Sequence, residues 1–541
     1  MPFYGAPIPL ASRSLTSVLI VEPTLGLDVS QPALDVPLGS TPSSDNYIMR
    51  EGALEPRPML SLFSSNPQPM GNVPILGATE VIGVGGDRYP LVSGTSRWAW
   101  YASGSWSALS YVSAYGLDDP PSTGNSDYWD LTQVYDADRD ENIAVGAHGS
   151  HQTLYCWQSN TTIFSSLTGA PRATTVAAFD NCLLAANIRS GTADFVQRVQ
   201  WSDRGSASSW TQGLAGYEDL LAMRGDITRL MPQENRILVL GEQETWHGYR
   251  VDYPPTLFRF EAIDTGVGCP YPWTATNTPL GTVFLGRAYQ VYLVPKGGGP
   301  VTPIGQRLHR RIREAIDHPE LAWGVYDPFT DTYQLTYPIQ GGSGSPQRAA
   351  WLHLQSGAWA PQSYDLVGGG LSPTRGAEVQ RSSTATTWAQ LGTSSVRWAD
   401  LSLTWAQLAG SSQQRAVLVG SSNGTLYYLN SNATSDNGTA VRAYWQSSAL
   451  LGDQPARMKT ATRLAVDYQA TSASSLTVAF SQSQGATFEA GTRVALPLAD
   501  GVGQVEAHTY VAARYPTFRV ESEGFRYRLY RFLVEMRIGG R

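Results

Sequence analysis

Asp136, Asp138, Asp140 and Glu141 set carboxylates along one short segment, the kind of spacing with which a loop offers oxygens to a hard cation such as calcium. The pattern fails where such a loop is most demanding. Its sixth position is Glu141 instead of glycine, and its twelfth is Ala147 instead of glutamate, so a solvated turn is the better reading. His148 and His151 are near neighbours, but no HExxH pattern or third ligand accompanies them. His247, His309, His318, His353 and His508 are scattered. No GxSxG elbow, Walker A loop or zinc signature is present. Gly83, Gly85 and Gly86 precede Asp87 without opening a helix, which makes them a turn and not a phosphate cradle. The expectation is a chain with no catalytic residues, no metal and no cofactor, although the carboxylate pairs of glycosidases leave no signature in a single sequence.

Cys156, Cys182 and Cys269 are far apart and odd in number, so buried free thiols are expected instead of a disulfide framework or a zinc site. The formal charge of -7 excludes a general DNA-coating protein, which needs a basic surface. It is compatible with a channel that duplex DNA slides through. Lysine occurs only at Lys296 and Lys459. Arginine therefore supplies the positive charge, and it suits bidentate bonds at subunit interfaces. Residues 1–21 lack the long apolar run of a secretory signal, and no run approaches the 18 residues of a membrane-spanning helix.

The elements that position all this read as short strands. Only 15% of the residues are charged, while glycine, tryptophan and tyrosine are plentiful. From residue 46 to 430 one unit recurs: an apolar strand, a glycine turn, and a second strand with aromatics. Ile143–Gly146 leads to Leu154–Trp157, Ile237–Gly241 to Trp246, Thr282–Gly286 to Val291–Leu293, and Val417–Gly420 to Leu426–Leu429. The period of about 40–55 residues matches four-stranded propeller blades, which must stack to cover both faces. About six such units are expected, with seven also countable. Packed sandwiches also alternate strands with turns, but without that period. Ser202–Gly205 with Trp210, and Ser481–Phe488, resemble the Asp-box turns of sialidase propellers, incompletely in both cases. Those turns are structural and signify hairpins.

The unit is interrupted at 387–408 by an insert in which Thr387–Leu391 recurs as Thr404–Leu408. Trp388, Trp398 and Trp405 are its candidate contact residues. One helix is expected, over 306–316, with Leu308, Ile312 and Ile316 on one side. Arg307, Arg310, Arg311 and Arg313 surround them as candidate interface or DNA-channel contacts. Residues 1–45 carry seven prolines and read as an extended arm. Residues 431–541 read as a C-terminal β-sandwich. There Phe532, Val534, Met536 and Ile538 alternate with Leu533, Glu535 and Arg537.

Gly26–Ser30 followed by Asn46–Pro58 resembles the opening of the tail nozzle, tail tubular and tail hub proteins of short-tailed bacteriophages. Val199–Asp203, Asp226–Leu230 with Glu244–Trp246, Gly266–Pro270 and Val301–Gly305 are similar to later motifs of the same family, in the same order. The resemblance implies a structural virion protein, with six copies in a ring beneath the portal and adaptor. It would line the DNA ejection channel, touch passing double-stranded DNA weakly, and carry tail fibres or spikes. The alternative from another class is a propeller that binds or hydrolyses cell-surface glycan.

Overall fold

The computed structural model describes residues 15–539 except 84, 113–123, 125–126, 150–152, 160, 254–255, 343–344, 365–372, 383–412, 453–454, 456, 484 and 489–491. The Trp388, Trp398 and Trp405 insert therefore lies outside the described residues. Two units emerge: Pro58–Gln355 with Ser363–Thr439, and residues 1–57 with Ser356–Gln362 and Ala440–Arg541. Among the described residues no helix is long and apolar enough to cross a membrane.

In the larger unit the described strands arrange as seven blades of a β-propeller. Their innermost strands are Gly77–Ile82 (blade 1), Trp129–Asp136 (blade 2), Arg172–Phe179 (blade 3), Ile227–Gln233 (blade 4), Thr276–Thr278 (blade 5), Trp323–Asp327 (blade 6) and Pro373–Ser382 (blade 7). Each lies beside the next, and blade 7 returns to blade 1. The outer strand of blade 7 is Met59–Leu62, from the start of the unit, paired with Leu426–Asn430 from its end. This ring closure explains the ambiguity between six and seven units: one blade is assembled from two distant stretches. Blades 1 and 2 are also joined by a parallel pairing of Ser110–Val112 with Ile163–Ser165.

Burial follows the stacking logic. One apolar cluster unites Ile143, Val145 and Cys156 of blade 2 with Val176, Leu183 and Ala185 of blade 3. Another unites Leu184 and Val199 of blade 3 with Leu230, Ile237 and Phe258 of blade 4. Phe63, Val379, Leu418 and Leu426 pack with Val92, Tyr101 and Trp106 across the closure. The three cysteines are free and buried, Cys156 and Cys182 in the first two of these seams and Cys269 between blades 4 and 5. Burial raises all three thiols, Cys182 and Cys269 to about 12. A thiolate is the reactive species, so a chromogenic disulfide reagent at pH 8 should label none of the cysteines in the folded protein and all of them in guanidinium. Labelling of one thiol within minutes without denaturant would contradict the packing.

The smaller unit is a sandwich of two sheets. One carries Gly501–Ala513, Lys459–Ala470, Tyr527–Ile538, Ala53–Pro56 and Tyr47–Arg50, and the other Arg442–Gln446, Thr517–Glu523, Ser474–Ser481 and Arg493–Leu498. The expected alternation holds: Phe532, Val534, Met536 and Ile538 are buried, while Leu533, Glu535 and Arg537 are not. Phe532 stacks on Trp445 at 5.4 Å and meets Phe518 at 5.2 Å, joining the two sheets.

Two expectations about this region need correction. The segment 1–45 is not simply an extended arm: Leu15–Val21 is a strand, paired over its whole length with Phe532–Ile538. Its alternating apolar residues find a partner in the last strand, and the prolines lie outside the pairing. Nor does the propeller begin at 46. The hairpin Tyr47–Arg50/Ala53–Pro56 belongs to the sandwich, and the last blade strand is Leu426–Asn430. The hairpin turn itself is as expected. Glu51 and Gly52 both have positive φ, 52° and 74°, the two-residue turn that matches strand twist.

Candidate functional site at the propeller axis

The inner strands of blades 4 and 7 open alike. Ile227-Thr228-Arg229 and Pro373-Thr374-Arg375 each break register with the second strand of their blade. A bulge of this kind re-aims a side chain that regular alternation would place elsewhere. The threonines hold both bulges in the same way. Thr228 Oγ1 lies 3.0 Å from Leu240 O and 2.8 Å from Cys269 O. Thr374 Oγ1 lies 3.3 Å from Gly420 O and 2.5 Å from Ile75 O. In each pair one carbonyl belongs to the blade's own second strand and the other to the segment entering the next blade. Gly376 follows the second bulge because a Cβ there would meet the Trp323 ring at 2.6 Å.

Both arginines line a cavity of about 220 Å³ at the axis, together with Met231, Asn277, Tyr326 and Glu378. They are not equivalent. Arg229 donates from Nη1 to Pro272 O (2.9 Å) and Ala275 O (2.8 Å), and from Nη2 to Asp130 Oδ1 (3.3 Å). Asp130 in turn accepts from Thr175 Oγ1 at 2.6 Å and Val176 N at 3.2 Å. Arg229 thus ties blades 2, 3, 4 and 5 together. Arg375 is 7% exposed, and its Nε and Nη1 have no hydrogen-bond partner. Two rings lie beside it: the guanidinium is 4.9 Å from the Trp273 centroid and 5.7 Å from that of Tyr128. Arg229 faces the same Trp273 ring at 5.4 Å.

Tyr128, Trp273 and Leu321 come just before the inner strands of blades 2, 5 and 6, so they gather at the mouth where the inner strands begin. Tyr128 meets Trp273 edge-on at 5.7 Å and donates to Leu321 O at 3.0 Å. Burial raises the Tyr128 phenol, so it stays a neutral donor. Burial, with Arg229 adding to it, lowers the Arg375 guanidinium to about 9. Burial and the bond to Asp331 raise Tyr326. Among the described lining residues the one carboxylate, Glu378, is paired with Arg415 at 2.5 Å.

The residues singled out from sequence lie elsewhere. The helix spans His309–Ala315, shorter than expected, with Leu308, Ile312 and Ile316 buried as the spacing requires. Arg310 is exposed and pairs with Glu314 at 3.0 Å, Arg313 is exposed, and Arg307 and Arg311 are half-buried. None of the four lines the axial cavity. The acidic segment at Asp136 is a hairpin turn. Asp136 binds Arg139 and Asp138 accepts from Ser206 Oγ at 2.6 Å, and no metal-binding cluster occurs among the described residues. His148 is buried against Trp129 at 4.8 Å, and His151 is outside the described residues. Asp203 accepts from Arg204 N and Leu214 N, so that Asp-box-like turn is structural. Sequence reasoning passed over Arg375, Trp273 and Asp130. The repeated Thr-Arg pair at 228–229 and 374–375 was the available signal.

No family model matches the chain, and no curated protein matches it. Among solved structures, an exo-β-1,3-galactanase from Phanerochaete chrysosporium with galactose is 8% identical over 85% of this chain and 95% of its own, with a TM-score of 0.26. YCF48 bound to D1 peptide is 9% identical over 69% and 97%, with a TM-score of 0.35. BamB from Moraxella catarrhalis is 8% identical over 67% and 95%, with a TM-score of 0.33. Such values carry no residue and no activity across to this chain.

Proposed function

We propose that the chain is a structural subunit of a short-tailed phage tail. In this reading six copies form a nozzle or hub ring that lines the path of the exiting DNA and contacts adaptor and fibres. The observation that carries the reading is where the resemblance residues sit: they make joints. Asn46 and Arg57 bind each other at the base of the sandwich hairpin, Arg57 Nε donating to Asn46 Oδ1 at 3.1 Å. Thr228, Gly268 and Cys269 join blades 4 and 5: Cys269 N donates to Gly241 O at 2.8 Å, and Gly268 leaves no room for a Cβ. Residues that act as joints suit a protein whose work is architecture.

Two further features agree. The small axial cavity, with its aromatic plug, is no passage for a duplex, so the DNA path in this reading is the axis of the ring. The net charge of -7 suits a wall that does not grip phosphate, since each neutralised phosphate adds salt-dependent affinity. The glycan reading has the axial cavity in its favour. Hydrolysis by the usual route needs two carboxyl groups flanking the scissile bond, and among the described residues the cavity lining offers only Glu378. Native mass spectrometry of the full chain separates the two readings: closed six-fold assemblies support the tail subunit, and a monomer at all concentrations contradicts it.

A further inference from the structure

The cavity, the two unpartnered N–H-bearing nitrogens of Arg375 and the twin Thr-Arg bulges converge on one place. We propose that the propeller axis is a binding site for a small oxyanion, a carboxylate or phosphate group, held by Arg375 with Arg229 beside it.

A guanidinium is a rigid fork of five donors that matches two oxygens of a carboxylate or phosphate. Buried charge is tolerated when it is paired, and an unpaired buried donor is costly. Arg236 obeys that rule in this propeller, and Arg229 leaves only its Nε without a partner. Arg236 gives Nε to Gln233 Oε1 at 2.8 Å and Nη2 to Pro295 O at 2.6 Å. Arg375 departs from it, with Nε and Nη1 unsatisfied while the side chain lines open space.

The charges around the cavity point the same way. Asp130 is engaged by Arg229, Thr175 and Val176, and Glu378 by Arg415. Among the described residues around the cavity the uncompensated group is Arg375, one positive charge, so the complementary guest carries one negative charge. Burial has already weakened this guanidinium's hold on its proton, which a bound anion would reverse. Leu131, Met231 and Val325 complete an apolar wall, which suits a short hydrocarbon stem behind the anionic group. The Trp273 ring faces both guanidinium groups, so a guest there changes the electrostatic field on its indole.

The test titrates the full chain with propionate, with inorganic phosphate and with neutral propionamide at constant ionic strength. Heat and tryptophan emission are followed, in the wild type and in Arg375→Met and Arg375→Lys. The expected result is saturable binding of propionate, of phosphate or of both, with no binding of propionamide. A tenfold excess over Kd should raise the melting temperature by about 2 °C. Arg375→Met should weaken binding at least tenfold, and Arg375→Lys by less. A carboxylate guest is indicated if propionate binds more tightly, and a phosphate guest if the order reverses. The proposal is overturned if neither anion saturates the wild type by 10 mM, a ceiling of about 3 kcal/mol of binding, or if Arg375→Met binds as tightly as the wild type. Should Arg375→Met not fold, the wild-type titrations decide on their own.

Discussion

Leu60→Pro should unfold the propeller or leave it barely stable. Leu60 is fully buried in the Met59–Leu62 strand that completes blade 7, and its amide donates to Asp436 Oδ1 at 2.7 Å. Proline removes that donor, and within a strand it also opposes the pairing geometry. The lost bond to a buried carboxylate costs about 1.5–3 kcal/mol, and replacing the fully buried leucine side chain by the smaller proline ring costs about 2 kcal/mol or more. The sum is on the order of 5 kcal/mol, comparable to the whole net stability of many domains. The location makes it worse. The strand closes the ring, and Phe63 behind it packs against Val92, Tyr101 and Trp106 of blade 1. Leu62→Thr, two residues on at an exposed position, should change stability by less than about 0.5 kcal/mol. Urea unfolding followed by circular dichroism reads both. An unchanged midpoint for Leu60→Pro would mean that the ring does not depend on this closure.

Asn46→Ala should cost the sandwich about 3–4 kcal/mol, assembled from three separable effects. Asn46 has φ of 59°, which asparagine tolerates and alanine resists by about 1 kcal/mol. Its Oδ1 accepts from Arg57, which is fully buried, and its Nδ2 donates to Arg442 O at 2.9 Å. Each of these bonds is worth about 1 kcal/mol, the one to the charged arginine somewhat more. The variants should rank in order. Asn46→Asp keeps the acceptor for Arg57 and should lose least, Asn46→Gly recovers only the backbone, and Asn46→Ala recovers neither. Equal midpoints for Asn46→Asp and Asn46→Ala would remove the Arg57 bond from the account.

These two sites show what was readable beforehand. The Asn46–Pro58 stretch announced its hairpin because Gly52 and the flanking pattern act locally. The last strand announced its faces because one side meets a core and period-2 alternation records that directly. The partner of a strand is not written locally. Nothing in Leu15–Val21 names Phe532–Ile538 as its neighbour, so a proline-rich beginning read as an arm. The blade count suffered likewise, because Met59–Leu62 closes a blade whose other strands lie more than 300 positions later. At the axis, density misled. Four arginines in a helix draw the eye, yet exposed arginines cost little there. A single arginine made important by burial, such as Arg375, leaves no cluster in the sequence.

Electron microscopy of the assembled 541-residue chain decides whether it builds a ring. The tail-subunit account predicts rings of six copies with one central channel wide enough for a duplex, while each propeller axis stays closed behind Tyr128 and Trp273. Isolated single propellers at every concentration, with no ring in any class of particle, would contradict it.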